Sequence, residues 1–287
     1  MSTQFNQIKY SSPAKFVEVN SFKIAYTDEG DSKDVLLFIH GLGSYLKAWD
    51  RNIPELKNHF RCIALDLPGY GKSSKQIHSG RVSFYVEIIN EFIKKLNLQN
   101  VSLVGHSMGG QIVSAYVIKY PAQITKLILV APAGFEYFNA DESEIIKMII
   151  SPDLIFKTSN NQIRLNYNSN FFNMPDEAEE MIADRITIKD DEDFYAHCTV
   201  VSNSLLGLLN EPVFDHLALI TIPTLIFFGK EDLLIPNRSI HQNTTEEVAI
   251  LGSSKIKNSK LILLNECGHF LQYEKPDQFN SSVISFF

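Results

Sequence analysis

Short, unbroken apolar runs recur along this chain: Val35–Ile39, Cys62–Leu65, Val101–Val104, Leu127–Val130, Thr224–Phe228 and Leu261–Leu264. A strand without a polar face is buried on both sides, which is the habit of parallel sheets. Between the runs lie segments of helix length, at about 45–58, 83–97, 108–120 and 239–250. Strands alternating with helices predict a doubly wound, mostly parallel α/β sheet with right-handed crossovers. Ahead of them, Phe16–Val19 and Phe22–Thr27 flank Asn20-Ser21 and read as a hairpin.

The alternation breaks between residues 134 and 212. Helical patterns fill that stretch: Glu144–Ile150, Pro175–Ile188 and Phe194–Leu209. Asp141 or Ser143 is the expected cap of the first, and Pro175 suits the first turn of the second. The Asn-rich segment 159–173 reads as a loop. The expected division is a core of residues 1–133 and 213–287 with an inserted helical cap, 134–212. The stretch 239–258 is longer than one helix needs and reads as a helix plus an extra loop.

Composition narrows the function classes. A chain of 287 residues, 45% of them hydrophobic, can bury a large core. A net charge of −7 argues against phosphate-backbone recognition, which needs a basic face. Cys62, Cys198 and Cys267 are few and scattered, so neither a disulfide framework nor a Cys-rich zinc site is implied. The N-terminal residues lack a secretory apolar core, and no run is long enough to span a membrane, so a cytoplasmic location is expected. The acidic run Asp190-Asp191-Glu192-Asp193 reads as a solvated helix start, and no metal or organic cofactor is expected.

The chemistry concentrates at strand ends. Val101–Val104 runs into Gly105-His106-Ser107-Met108-Gly109, followed by a helix-forming segment. Gly-x-Ser-x-Gly between a buried strand and a helix is a nucleophile elbow, a strained turn that presents the serine at the sheet edge. His40-Gly41-Leu42-Gly43 follows another buried strand. Leu42 and Met108 are the candidate backbone donors to an oxyanion. His40, Gly41 and His106 are expected to support the loops around them. Glu231 and Asp232 follow the strand Thr224–Phe228, and His269 follows Leu261–Leu264. Histidine suits proton exchange near neutral pH. Gly69-Tyr70-Gly71-Lys72-Ser73 ends like a phosphate loop, but Asp66 stands where that loop needs glycine.

With Asp66–Ser73, Phe228–Asp232 and Cys267–Phe270, these motifs resemble, in order, the α/β-hydrolase superfamily. The resemblance covers nearly the whole chain outside the cap. It implies a triad of Ser107, Asp232 and His269, selecting Asp232 over Glu231, and a structural role for the Asp66–Ser73 turn. Serine at 107 argues against the dehalogenase and epoxide-hydrolase branches, which use aspartate there.

The leading expectation is a serine hydrolase, carboxylesterase- or lipase-like, that cleaves small esters with an apolar, short-to-medium acyl group through an acyl-enzyme. One alternative is a carbon–carbon bond hydrolase of ring-fission products, because residues 267–280 are similar to that group's tail. Against it stand the missing Gly-Pro-Gly after His40-Gly41, His106 in place of asparagine and Phe270 in place of tryptophan. That reading also needs an arginine from the cap, for which Arg164 and Arg185 are the candidates. A serine haloperoxidase and a non-catalytic ligand receptor on the same fold are further options. A homodimer is left open.

Overall fold

The computed structural model describes residues 3–287. Its eight strands form one sheet in the order β1-β2-β4-β3-β5-β6-β7-β8. They are β1 (Lys15–Val19), β2 (Phe22–Glu29), β3 (Val35–Ile39), β4 (Arg61–Leu65), β5 (Val101–His106), β6 (Ile124–Val130), β7 (Thr224–Gly229) and β8 (Ser259–Leu264). β1 and β2 form the hairpin and β2 meets β4 antiparallel; every other pair is parallel. All residues of β3, β5 and β7 are buried, which is why their sequences lack a polar face.

The strand order positions the site. From β3 the chain passes to β4 on one side and then returns to β5 on the other. Connections leaving in opposite directions open a crevice at the carboxyl ends of β3 and β5. The loop at His40 and the turn at Ser107 lie side by side there, because Ile39 pairs with Gly105.

Helix α1 (Val82–Lys95) lays an apolar stripe including Val86, Ile89 and Phe92 on the sheet. Helix α2 (Met108–Lys119) is buried over most of its first ten residues. Between β6 and β7 the chain is helical: α3 (Ala140–Ile149), α4 (Asn160–Asn168), α5 (Glu179–Thr187) and α6 (Phe194–Asn210), with a short helix at Pro152–Phe156. Helix α7 (Thr245–Ser254) precedes β8, and α8 (Pro276–Phe286) closes the chain. No helix among the described residues is long and apolar enough to cross a membrane.

Several local expectations are corrected. Residues 45–58 do not form one helix but a 3₁₀ turn, Leu46–Trp49, and a single α turn, Ile53–Leu56. Pro54 suits the start of the second piece but cannot sit inside a longer helix. The cap of α3 is Asn139, which forms a reciprocal capping box with Glu142. The Asn-rich segment is not all loop, since Ser159 caps α4 by accepting from the Gln162 amide. Helix α7 starts later than periodicity suggests, where Thr244 and Glu247 form a second capping box. Within the acidic run, Asp191 is buried: it accepts from the Phe5 amide at 3.1 Å and the Asp193 amide at 2.9 Å.

A buried cation joins the helical insert to the sheet. Lys47 Nζ lies 2.9 Å from Asp184 Oδ2 and 3.0 Å from Glu180 Oε2, both on α5. Tyr45 donates to the same Asp184 oxygen at 2.6 Å. Lys47 is buried while Glu180 is exposed and Asp184 reaches solvent, so removing the lysine costs the buried contacts and leaves only Asp184 partly short of a partner. Lys47→Ala should therefore lower the unfolding free energy by about 1–2 kcal/mol. A urea midpoint unchanged at constant m-value would refute that tether.

Candidate active site

Ser107 sits between β5 and α2 at φ +52°, ψ −117°. Non-glycine residues rarely adopt this left-handed backbone, and surrounding structure must hold it there. The Ser107 amide donates to Val130 O at 2.9 Å, and Ser107 O accepts from the amides of Gly110 at 2.9 Å and Ala133 at 3.0 Å. The flanking glycines are required by contact. A Cβ on Gly105 would lie 2.5 Å from Gly109 O, and one on Gly109 only 2.3 Å from Ile39 O.

His269 follows β8 in a loop seated on the end of β7. A Cβ on Gly229 would meet Cys267 O at 2.2 Å. The loop is fixed by its amides: Cys267 donates to Glu231 Oε2 at 2.9 Å and Gly268 to Glu274 Oε2 at 2.8 Å. His269 Nδ1 lies 2.7 Å from Asp232 Oδ2, and Asp232 is fully buried. The other Asp232 oxygen accepts from the amides of Leu234 at 2.7 Å and Ile235 at 3.0 Å. Geometry thus separates the two carboxylates: Asp232 holds the imidazole, while Glu231 holds the backbone beside it.

Ser107 and His269 face one cavity of about 340 Å³. Neither Ser107 Oγ nor His269 Nε2 makes a hydrogen bond among the described residues, and such contacts often tighten only around substrate. Leu42 also lines this cavity, and its amide has no partner in the backbone network. Met108 opens α2, so its amide is one of the helix's orphan donors. The loop after β3 and the start of α2 thus each bring a backbone N–H without a partner among the described residues to the region of Ser107.

His40 and His106 hold the frame. His40 Nδ1–H donates to Gly41 O at 2.8 Å and Nε2 accepts from the Leu67 amide at 3.1 Å, tying the loop after β3 to the loop after β4. That pattern requires the neutral ring, and burial pushes its pKa down to about 4. His106 Nε2 lies 3.1 Å from His269 O, and its ring meets Phe270 edge-on. Burial also holds His106 below its ordinary value. A Cβ on Gly41 would come within 3.1 Å of both His106 Nδ1 and Ser107 Cβ. Asp66 is buried and accepts from Tyr10 OH at 2.5 Å, Leu46 N at 2.9 Å and Lys72 N at 2.7 Å.

A second cavity, of about 260 Å³, adjoins the first, sharing Leu42, Ser44, Asn170 and Phe270. Arg185 is the charged residue in its wall. The guanidinium contacts His197 Nε2, and its carbon lies 5.2 Å from the centre of the Phe194 ring. His197 Nδ1 in turn lies 2.8 Å from Gly69 O. No carboxylate among the described residues pairs with Arg185, whereas Arg164 pairs with Glu179 on the surface. Sequence left these two arginines undivided; only the three-dimensional arrangement separates them. Glu136, in the wall of the first cavity, carried no sequence signal at all.

The histidines set an acid limit. The unfolded chain binds a proton on His40 below its ordinary pKa of 6.5, while the folded chain resists until about 4. Stability should therefore be intact above pH 6.5 and fall toward pH 4, by on the order of 3 kcal/mol from His40 alone. Thermal melts across that window should slope downward on acidification, and His40→Gln should flatten the slope. An unchanged slope in the variant would exclude His40 as a cause.

A family model described as alpha/beta hydrolase fold matches residues 34–164. Among curated proteins, the chain is 28% identical over 290 residues to a 2-hydroxy-6-oxononadienedioate/2-hydroxy-6-oxononatrienedioate hydrolase of Pseudomonas putida, covering 95% of this chain and 96% of that one. Among solved structures, a probable hydrolytic enzyme from Pseudomonas aeruginosa PAO1 superposes with a TM-score of 0.86 at 20% identity, covering 98% and 96% of the two chains. An esterase from Exiguobacterium antarcticum does so with a TM-score of 0.79 at 24% identity, covering 96% and 99%.

Proposed function

We propose, from the premise that the chain belongs to the α/β-hydrolase superfamily, that it is a serine hydrolase cleaving the carbon–carbon bond beside a ketone in a conjugated keto acid of the ring-fission type. The observation that carries this reading is the pair of adjoining cavities. One is walled largely by apolar residues such as Ile146, Leu205 and Leu208 and holds Ser107 and His269. The other offers Arg185, a cation without a carboxylate partner among the described residues. Arg185 would fork onto the substrate carboxylate. The P. putida relative, similar along nearly its whole length, is named for hydrolysis of such oxo-dienoic acids.

In this mechanism Ser107 Oγ attacks the ketone carbon while His269 Nε2 takes its proton. Asp232 fixes the His269 tautomer and stabilises the imidazolium. The amides of Leu42 and Met108 receive the oxyanion. Cleavage needs the keto form, in which the enol proton of the hydroxydienoate has moved to the carbon beside the ketone. The electron pair of the breaking carbon–carbon bond then passes through the remaining double bond onto the 2-oxo group beside the carboxylate at Arg185, and the proton held by His269 returns to the product to restore its enol. Water activated by His269 then attacks the acyl-enzyme, releasing a carboxylic acid and free Ser107. The residues between β6 and β7 act here as the cap that closes both cavities.

Simple ester hydrolysis is the second reading. It needs the same groups with an alkoxide as leaving group, and the apolar first cavity and the E. antarcticum neighbour favour it. The two readings part on Arg185.

With 2-hydroxy-6-oxo-6-phenylhexa-2,4-dienoate, wild type should consume the chromophore and release benzoate. Ser107→Ala should lose about 10⁴-fold or more in kcat, and Asp232→Asn roughly 10³–10⁴-fold. Arg185→Gln should act mainly on KM, raising it roughly 10- to 100-fold. Turnover of p-nitrophenyl esters with no consumption of the dienoate would replace this reading with the ester one.

A further inference from the structure

The wall of the first cavity carries its own charged group. Glu136 lies beyond the end of β6, and its side chain is 8% exposed. Its Oε1 accepts from the Asn237 amide at 2.8 Å and faces His241 Nδ1 at 2.5 Å. Its Oε2 makes no hydrogen bond among the described residues. His241 does not cancel the charge cleanly, because its other nitrogen lies 3.4 Å from Glu142 Oε1. One imidazole thus serves two carboxylates. Apart from the histidines of the site, no basic residue among the described residues lines this cavity. Burial, together with the Asp232 charge, pushes the Glu136 pKa up, so the site already resists negative charge.

We infer that Glu136 is a specificity-determining residue that bars a carboxylate from the cavity holding Ser107 and restricts the acyl part of the substrate to neutral or hydrogen-bond-donating groups. The inference rests on the reading above, in which the acyl part occupies this cavity. It gives the site a polarity, with Glu136 in one chamber and Arg185 in the next. A substrate with one acid group then binds in a single direction, carboxylate toward Arg185 and neutral tail toward Glu136. A diacid would meet like charge in a buried setting, where repulsion is weakly screened. The relative is named for dienedioates, which carry an acid at both ends; this chain is built for substrates with one.

The test compares p-nitrophenyl hexanoate with mono-p-nitrophenyl adipate, whose acyl groups have equal length and differ by a terminal carboxylate. Wild type should favour hexanoate by about 100-fold or more in kcat/KM, and Glu136→Gln should narrow that ratio by about 10-fold or more. Equal use of both esters by wild type, or a ratio unmoved in a cooperatively melting Glu136→Gln protein, overturns the inference. Should the variant fail to fold, wild type alone decides through inhibition by pentylboronic and 4-carboxybutylboronic acids. The carboxylated compound should bind at least about 10-fold more weakly, and equal inhibition refutes the assignment. If neither ester turns over and neither boronate inhibits, the Ser107 reading fails and takes this inference with it. If the esters turn over but the dienoate does not, only the carbon–carbon reading fails, and the adipate ratio still judges Glu136.

Discussion

Everything at the site depends on how closely helix α2 approaches the end of β3. Gly109 leaves no room for a single methyl between its backbone and the carbonyls of Ile39 and His40. That contact fixes the helix start, and the helix start forces Ser107 into a backbone conformation it would not choose. The cost, about 1–3 kcal/mol for a residue of this kind, is offset by the surrounding hydrogen bonds and buried strands. The same proximity leaves the Met108 amide, the first of α2, next to Ser107. Backbone strain at Ser107, the start of α2 and the exposure of Ser107 to the cavity are therefore one geometric fact.

A second consequence concerns division of labour among neighbouring polar groups. Glu231 and Asp232 are adjacent in sequence but serve different partners, one a backbone amide and the other an imidazole. His40, His106 and His269 lie close together, yet two of them are kept neutral by burial while serving the frame. Local environment, rather than residue type, assigns the roles. The same holds for the arginines, where a surface ion pair neutralises Arg164 and Arg185 is left toward a cavity.

Much of this was legible in the chain because it follows from local rules. Strands buried on both faces leave continuous apolar runs, and six of the eight strands are legible as such runs, although β6 begins three residues earlier than its run; β1 and β2, less buried, are legible as a hairpin from the turn between them. The elbow glycines mark backbone collisions, so Ser107 could be found from its neighbours. The helical insert was harder. Its caps at Asn139 and Ser159 compete with several equally good Asn, Asp and Ser residues nearby, so sequence alone misplaced one and missed the other. Which side chains line a cavity depends on how α5 and α6 pack over the sheet, a long-range outcome that no local pattern encodes. Glu136 is the clearest case: an isolated acid in an ordinary loop, given meaning only by Asn237 and His241 a hundred residues on.

The start of the chain adds one more dependence. The Phe5 amide reaches Asp191, 186 residues downstream, and the Phe5 ring packs 5.6 Å from that of His197, the histidine against which Arg185 rests. Phe5 must therefore wait for most of the residues that follow it to be made before it can dock. Contacts so distant in sequence form late, after closure of the long loops between them. The brace behind Arg185 would then be among the last parts of the protein to assemble, completing the second chamber only after the sheet and its elbow are in place.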